Sequence, residues 1–262
     1  MLDKITPLIL TLDEAPNIGR VLDRLAWARD IVVVDSFSQD ETCKIVRCYP
    51  NARLFQRDFD CHSNQWNFGL GETDIATEWV LALDADFVLT DALVREIGEL
   101  APGPQVAGYR ASFTYCIDGH PLRNTVYPPV TVLFRREGAR YVQDGHTQRV
   151  RVASGEIVAL TGRILHDDRK SFRRWLRSQQ HYMRLESAKL AATPFSDLPA
   201  NDKIRRLIVV APLAILVYCL FVKGNVLDGR AGFAYALQRS IAETILSVHL
   251  LRAILGHRRS TT

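Results

Sequence analysis

Two carboxylates stand two positions apart at the end of a strongly apolar stretch. Asp84 and Asp86 close the segment EWVLALDAD. Side chains at positions i and i+2 of a strand point the same way, so these carboxylates can converge where a sheet ends. Two hard oxygen ligands suit Mg²⁺ or Mn²⁺ holding a diphosphate. A D-x-D pair also occurs by chance as a helix cap, so it predicts a metal site only together with other polar positions.

A second polar cluster follows the apolar run DIVVVD. It consists of Asp35, Ser36, Ser38 and Asp40, whose carboxylates and hydroxyls can hydrogen-bond a base or a ribose. The alternative to ligand binding is helix capping, because Ser38 and Glu41 have the spacing of a capping box at the start of the helix ETCKIVRCY. We expect Ser38 and Glu41 to cap this helix, and Asp35 and Asp40 to contact a ligand.

A third cluster, Thr11-Leu12-Asp13-Glu14, follows the first apolar run, ITPLIL. Its acids also suit the positive end of a helix dipole, so the cluster alone leaves a helix start and a ligand contact open. All three clusters follow predicted strands, and these strands alternate with helices up to Asp86. Such alternation predicts a mostly parallel sheet covered on both faces.

The pattern changes after Asp86, although no long linker or repeat appears before residue 168. One helix, DALVREIGEL, is followed by segments that alternate or turn like antiparallel strands: VAGYRASFTYCID, VTVLFRR, ARYVQD, QRVRVAS and EIVALTG. The second half of the core is therefore predicted to be mixed β, and we expect residues 1–168 to form one domain.

Residues 169–262 are predicted to be helical. The basic helix SFRRWLRSQQHYMRLESAKLAA precedes LIVVAPLAILVYCLFV, 16 apolar residues with Pro212 as a predicted kink and basic residues on both flanks. A spanning helix needs about 20 residues, so this run is also compatible with a buried core helix. The basic flanks and a further amphipathic stretch, 228–255, favour a membrane-embedded, re-entrant or interfacial segment.

Charge and cysteine content narrow the class of protein. The chain has 262 residues, 47% of them apolar, and a net charge of +4, but residues 163–262 hold 17 Lys and Arg against 7 Asp and Glu. An acidic body with a basic tail suits an anionic surface, and the apolar run favours a membrane over nucleic acid. Five scattered cysteines without C-x-x-C spacing and no secretory signal predict a cytoplasmic catalytic part.

Together, the strand ends resemble the family-2 inverting glycosyltransferases of the GT-A fold over residues 5–168. The resemblance rests on these segments, in this order: TLDEAPNI, VVVDSFSQDET, NQWNFGL and VLALDADF. Within that family the chain looks most like the lipopolysaccharide core glucosyltransferase-like branch, because of FRR, DGH, ILH and LDGRAGFAYAL. The resemblance implies an α/β fold with a mainly parallel, Rossmann-like mixed sheet and helices on both faces, followed by a helical, membrane-associated C-terminal region.

The resemblance also implies residue roles. It makes Asp86 the metal ligand and His166 a further metal or diphosphate contact, with Mg²⁺ or Mn²⁺ as the ion. Asp144 is the candidate general base, and His146 is placed on the acceptor side. The implied donor-binding residues are Thr11, Asp13, Glu14, Asp35, Asp40, Gln65, Asn67 and Asp84.

Three positions depart from the family pattern. Asp13 stands where Asn is common, Trp66 where a basic residue often faces the diphosphate, and Gln148 where a Glu is usual near the acceptor. These departures leave open a membrane-anchored binding or scaffold protein that has lost catalysis. A sugar nucleotidyltransferase is a second alternative, although the acidic TLDEAPNIG replaces the glycine-rich basic loop that it would need. A dehydrogenase is disfavoured because no G-x-G-x-x-G follows a predicted strand.

The leading interpretation is a membrane-associated inverting glycosyltransferase at the cytoplasmic face of the inner (plasma) membrane. We expect a nucleotide-sugar donor, UDP-linked by the resemblance, and a lipid-linked or lipopolysaccharide-type glycan as acceptor. We expect no nucleic-acid partner.

Overall fold

The computed structural model describes residues 1–144 and 147–260; the side chains of residues 144, 147, 254 and 256–260 lie outside that description. The chain forms two compact units. The first comprises Met1–Pro121 and Tyr127–Arg169, and the second Leu122–Val126 and Lys170–Thr262. The domain boundaries expected from the sequence, 1–168 and 169–262, stay a prediction.

The strands of the first unit are β1 (Ile5–Thr11), β2 (Ile31–Asp35), β3 (Ala52–Gln56), β4 (Trp79–Asp84), β5 (Phe87–Leu89), β6 (Val106–Ile117), β7 (His120–Pro121), β8 (Val130–Arg135), β9 (Arg140–Asp144), β10 (Thr147–Arg151) and β11 (Glu156–His166). One mixed sheet has the strand order β3-β2-β1-β4-β8-β6-β11-β5, with β7 paired to β6. A separate two-stranded sheet joins β9 and β10.

Strands β1 to β4 pair in parallel, so their carboxyl ends share one edge of the sheet. Strands β1, β2 and β4 are apolar on both faces, as a doubly covered sheet requires. Ile9 and Val33 belong to the core on one face, whereas the preceding residues, Leu8 and Val32, belong to the core on the other. The predicted α/β architecture, with a mainly parallel part and helices on both faces, is confirmed.

The helices of the first unit are short. A 3₁₀ turn at Leu2–Lys4 precedes α1 (Ile18–Asp23), α2 (Thr42–Val46), α3 (His62–Gly71) and α4 (Asp91–Glu99). Only α4 among these has a side-chain N-cap, because Thr90 Oγ1 accepts the backbone N–H of Leu93.

The antiparallel expectation for EIVALTG is wrong, because β11 pairs with β6 in parallel. The cause is the β9–β10 hairpin, which leaves the main sheet after β8 and lets the chain return in the direction of β6. Periodicity shows which residues face a core, but it does not show which strand lies beside which.

The second unit is helical, as predicted. Its core is formed by Met183, Leu190, Leu198, Leu246 and Leu250. Its helices are α5 (Phe172–Ala192), α6 (Ala200–Arg205), α7 (Val210–Val217), a π-helical turn (Tyr218–Val222) and α8 (Gly229–Ser260), with 3₁₀ turns at Phe195–Asp197 and Asn225–Asp228.

The apolar run does not form one helix, and Pro212 does not kink it. Pro212 lies in the first turn of α7, where its missing N–H has no helical partner to lose. In the part of the chain that the structure describes, no single helix is long and apolar enough to cross a membrane. The bent pair Val210–Val222 and Asn225–Ala253, at 72°, meets the length and composition requirements together.

The run is also largely exposed, so the buried core helix considered from the sequence is wrong. Within α7 and the π-helical turn, Ala211 and Cys219 are the buried side chains. Large apolar side chains exposed on and beside the run are Leu207, Val209, Val210, Leu213, Val217, Tyr218, Phe221, Val222 and Leu227.

Candidate functional site

The loop after β2 is organised around the buried carboxylate of Asp35. Thr11 Oγ1 donates to Asp35 Oδ1 at 2.8 Å, and the backbone N–H of Ser38 donates to Oδ2 at 2.8 Å. The hydroxyl of Ser38 and the thiol of Cys43 donate to the same carboxylate. Burial raises the pKa of Asp35, but these hydrogen bonds outweigh it and hold the pKa below its ordinary value.

Side chains of the second loop also hold the loop after β1. Ser38 Oγ accepts the backbone N–H of Asp13 at 2.6 Å, and Thr42 Oγ1 accepts that of Glu14 at 2.6 Å. Asp40 Oδ2 accepts the N–H of Ala15 at 3.1 Å. The two loops therefore form one hydrogen-bonded unit at the carboxyl edge of the sheet.

The predicted capping box is wrong. Helix α2 begins at Thr42, and its N-cap, Glu41, makes no side-chain capping hydrogen bond. The Ser38 hydroxyl is engaged with Asp35 and with the backbone of Asp13. A buried carboxylate is a stronger partner for a hydroxyl than a helix N–H that water also reaches, so the tertiary contact prevails.

Asp86 and His166 come together at the next position along this edge. Asp84 ends β4, Asp86 lies in the turn before β5, and the backbone carbonyl of Asp86 accepts the N–H of Asp167 at 3.1 Å. His166 Nε2 lies 3.3 Å from Asp86 Oδ2. Asp86 is 9% exposed, so this carboxylate faces the protein more than bulk water.

Aromatic rings surround His166. The ring centroids of Phe87, Tyr115 and Tyr127 lie 5.1, 4.7 and 4.9 Å from that of the imidazole. Burial lowers the pKa of His166, but the charge and hydrogen bond of Asp86 outweigh it and raise the pKa. Its Nδ1 is buried and has no hydrogen-bond partner among the residues that the structure describes. The imidazole is thus fixed in place with Nε2 directed to Asp86.

Asp86 and His166 fit a divalent cation that takes its other ligands from substrate. Mg²⁺ sites commonly use one or two protein ligands and complete the shell with phosphate oxygens and water, and Mn²⁺ accepts imidazole as well as carboxylate. Within the described residues, no group of three His, Cys, Asp or Glu side chains is placed to hold a metal. The chain thus offers a partial donor set and no closed cage.

A buried clamp joins the loop after β1 to the segment after β11. Asn17 Nδ2 donates to Glu14 Oε2 at 2.8 Å and to Asp168 Oδ1 at 2.9 Å. Arg20 donates to the carboxylate of Asp167 at 2.7 Å and to its backbone carbonyl at 2.6 Å. Asn17 is fully buried, and the segment it holds begins next to His166. The clamp therefore fixes the first loop relative to the Asp86–His166 pair.

Gln65 and Asn67, both predicted donor contacts, lie on α3 and hydrogen-bond other parts of the protein. Gln65 Nε2 donates to Ser36 Oγ at 2.8 Å, which places it against the second loop. Asn67 Nδ2 donates to the carbonyl of Tyr141 at 3.0 Å, and its Oδ1 accepts the N–H of Tyr141 at 2.7 Å. Asn67 thus holds β9 in place, and its donor-binding role stays a prediction.

Two predicted positions on the acceptor side fall outside the described part of the structure. The backbone of Asp144 ends β9, but its side chain is outside the description, and His146 lies wholly outside it. Trp66, where the family often has a basic residue, is 2% exposed and stacks on Tyr141 with ring centroids 5.1 Å apart. Trp66 is therefore a core residue, and it does not face an open diphosphate site.

The predicted residues fall into two groups at one edge of the sheet. Thr11, Asp13, Glu14, Asp35 and Asp40 form the two interlocked loops, while Asp84, Asp86 and His166 form the acidic group. Sequence reasoning missed the residues that connect them: Asn17, Arg20 and Asp167. The charged run after His166, D-D-R, was the available signal for Asp167, whereas nothing in the spacing marks Asn17.

Comparison with known proteins places the chain among sugar-transferring enzymes. The family model described as Glycosyl transferase family 2 matches residues 8–155. The lipopolysaccharide core biosynthesis glycosyltransferase LpsC of Rhizobium meliloti (strain 1021) is 26% identical over 267 residues, covering 95% of this chain and 94% of LpsC.

Among solved structures, the chain is similar in fold to S. aureus TarS. TarS residues 1–349, crystallised in complex with UDP-GlcNAc, align with a TM-score of 0.50 and 14% identity. The alignment covers 97% of this chain and 92% of the TarS chain.

Proposed function

The chain belongs to glycosyl transferase family 2, and we propose that it transfers a sugar from a UDP-linked donor to a lipid-linked or lipopolysaccharide-type glycan with inversion at the sugar. This reaction would serve cell-envelope polysaccharide synthesis. The observation that carries the proposal is the Asp86–His166 pair, held beside two interlocked loops that follow β1 and β2.

The two loops are the proposed nucleotide site. Their side chains and backbone are fixed by Asp35, Ser38 and Thr42 before any ligand arrives, so little conformational entropy is lost on binding. Asp13 has a positive φ of 52°, a strained conformation that the hydrogen bonds of this loop maintain. Strain retained at a strand end is typical of ligand sites. The UDP-GlcNAc complex of TarS supports UDP as the nucleotide.

Asp86 and His166 are the proposed ligands of a divalent cation, with Asp84 beside them for ribose or metal. When bound, such an ion neutralises charge on the departing diphosphate. The chain itself orients its ligands: Asp86 is held by backbone pairing to Asp167, and His166 by its ring of aromatic neighbours. Their near burial keeps bulk water from competing for the diphosphate oxygens.

Asp144 is the proposed general base for the acceptor hydroxyl. Inverting transfer needs one group to remove that proton while the sugar carbon is attacked from the side opposite the diphosphate. Strand β9, which ends at Asp144, is held by the two hydrogen bonds of Asn67 to Tyr141. We propose that His146 acts on the acceptor side.

One relative and the second unit support the proposed acceptor and location. LpsC, similar over nearly its whole length, is a lipopolysaccharide core enzyme, which supports a glycan carried on lipid. Exposed apolar residues such as Val209, Leu213 and Phe221 support docking on a membrane. We therefore propose that the enzyme works at the cytoplasmic face of the inner membrane.

A transfer assay tests this proposal. Detergent-purified protein is incubated with Mn²⁺, labelled UDP-sugars and truncated lipopolysaccharide, and the anomeric configuration of the product is read by NMR. We expect label in the glycan with inverted configuration, and a loss of about 100-fold or more in Asp144→Asn, the usual contribution of a general base. Glu137→Gln, an exposed acid before the same hairpin, is the control. Retained configuration, or full activity in Asp144→Asn, contradicts the assignment.

A further inference from the structure

We propose that a basic groove between α5 and α8 is a binding site for the phosphate of an anionic membrane lipid. The groove measures about 600 Å³ and lies wholly within the second unit. Its basic lining residues are Arg177, His181, Arg184, His249 and Arg252. The inference deepens the proposed function, because it names the lipid chemistry that would hold the enzyme at its acceptor.

The basic residues converge because of helical spacing on two packed helices. Arg177, His181 and Arg184 are separated by four and three residues, so they share one face of α5. His249 and Arg252 are likewise three apart on α8. The two faces line the same groove, which brings charges from two helices around one volume.

The arginines of the groove have no acidic partner among the described residues. The lining contains no Asp or Glu, and Arg177, Arg184 and Arg252 form no ion pair with the described carboxylates. Arg205 in the same unit behaves differently, since it pairs with Glu243 at 2.7 Å and with Glu186 at 3.3 Å. Within the described part of the chain, the second unit therefore neutralises the half-buried Arg205 and leaves the arginines of the groove uncompensated.

Three uncompensated guanidinium groups favour a phosphate ligand. Arginine presents planar N–H donors that match phosphate oxygens, often in pairs, and it binds such groups more specifically than lysine does. His181 and His249 can add N–H donors in either protonation state. An anion in the groove would also relieve the mutual repulsion of the arginines.

Apolar residues at the groove favour a lipid as the carrier of that phosphate. Ile245 and Val248 on α8 belong to the lining, and Val248 is 44% exposed. One and two turns further along α8, Leu251 and Leu255 are 46% and 52% exposed. Apolar and basic surface thus continue along one helix, as in segments that meet the headgroup and acyl regions of a bilayer together.

Vesicle flotation with the full chain tests the site. The vesicles are phosphatidylcholine alone or phosphatidylcholine mixed with phosphatidylglycerol. The test variant is Arg177→Gln with Arg252→Gln. The matched control is Arg173→Gln with Arg230→Gln, which removes the same charge from exposed positions on the same helices outside the groove. If the double variant fails to fold, the single variant Arg184→Gln replaces it as the test variant, because the Arg184 side chain is exposed.

We expect the affinity of the groove variant for the anionic vesicles to fall about 10- to 30-fold. Each arginine near an anionic membrane contributes about 1 kcal/mol to binding, and the variant lacks two. The control pair should lose less than about 3-fold, because diffuse charge is screened by salt. Equal losses in both variants would overturn the proposal in favour of general surface charge. Displacement from the vesicles by millimolar inorganic phosphate would overturn the lipid assignment, because the groove would then hold free phosphate.

Donor hydrolysis distinguishes this inference from the proposed function. Release of UDP from a UDP-sugar in detergent, without vesicles, should be the same in the groove variant and in the wild type. If neither protein releases UDP, the proposed transferase fails while flotation still decides the groove.

Discussion

Asp86 is a nearly buried carboxylate whose Oδ2 lies 3.3 Å from Nε2 of His166. Among the described residues, the buried Nδ1 of that imidazole has no hydrogen-bond partner. A buried polar atom left unpaired in this way is more typical of a ligand site than of a structural ion pair.

At the residue scale, we predict that Asp86→Asn lowers the rate of sugar transfer by about 100-fold or more, because a metal ligand supplies several kcal/mol of charge stabilisation. The Mn²⁺ concentration needed for half-maximal activity should rise as well. Steady-state transfer measured across a Mn²⁺ titration checks both. Asp91→Asn, an exposed acid paired with Arg24, is the control. Unchanged metal dependence in Asp86→Asn would exclude this residue as a ligand.

A second residue-scale prediction concerns the pH dependence of stability. The lowered pKa of Asp35 means that its carboxylate stabilises the fold above the unfolded-state pKa of about 3.9, and that this stability is lost as pH falls through the folded-state pKa. We expect Asp35→Asn to cost about 1–3 kcal/mol at pH 7, the range for hydrogen bonds to a charged group. The deficit should shrink below about pH 4.

Urea unfolding at pH 7 and at lower pH measures this difference. Glu41→Gln, an exposed acid in an i,i+3 pair with Lys44, should change stability by less than about 0.5 kcal/mol. A deficit in Asp35→Asn that does not depend on pH would show that the charge of Asp35 is not what holds the two loops.

Residue types and spacing predicted the carboxylates of the candidate site but not the partners that hold them. Asp35 was recognisable because it ends a buried strand, and Asp86 because it completes a D-x-D pair. Asp35 is held by Thr11 and Cys43, and these two residues come from different parts of the chain. The parallel pairing of β1 and β2 brings Thr11 opposite Asp35. Local sequence does not predict which strands pair.

At the scale of elements, the clamp between α1 and the end of β11 makes a prediction about positioning. Arg20→Lys removes the guanidinium that holds both the carboxylate and the carbonyl of Asp167. We expect kcat/KM for the donor to fall about 10- to 100-fold, as for other partners that orient metal ligands. Adding Mn²⁺ should recover part of the loss, because the affinity for metal is reduced and the ligands remain.

Arg53→Lys is the matched control for the clamp. Arg53 also holds one carboxylate, that of Asp30, and one carbonyl, that of Thr73, in the same unit. The Arg53→Lys variant should lower thermal stability about as much as Arg20→Lys does, and it should leave kcat/KM nearly unchanged. If both variants lose activity in proportion to stability, the clamp contributes folding energy alone.

The order of the elements was predictable from sequence, whereas their junctions were not. Buried strands β1, β2 and β4 are visible as apolar runs, and β3 and α4 also match their predicted segments. The errors occur where a tertiary partner overrides a local rule. Ser38 bonds Asp35 and so does not cap a helix, and β11 lies parallel to β6 because a hairpin redirects the chain.

At the scale of the whole molecule, the family predicted from the sequence is confirmed, and the match to the family model ends before the helices of the second unit. The match to the family model ends at residue 155, whereas the match to LpsC covers 95% of the chain. The helical unit is thus part of what the two proteins share. Under the proposed function, its exposed apolar run would attach the enzyme to a membrane, while the first unit would carry the chemistry.

We predict that Leu213→Ser with Phe221→Ser weakens binding to neutral phosphatidylcholine vesicles by about 10-fold or more. Both side chains are well exposed, at 64% and 68%, and burial of one such side chain is worth about 1.5–3 kcal/mol. Phe59→Ser, an exposed aromatic of the first unit, is the control. Flotation without anionic lipid keeps the measurement independent of the basic groove, and unchanged binding would mean that this run does not enter the bilayer.

The most direct test of the central claim is Mn²⁺-dependent release of nucleoside diphosphate from a panel of UDP- and GDP-sugars. The wild type and Asp86→Ala are compared in detergent, with and without a chelator. The account predicts slow release of UDP from one donor, abolished by chelation and by Asp86→Ala. If no donor binds or turns over with Mn²⁺ present, the chain is a binding or scaffold protein that keeps the family fold without its catalysis.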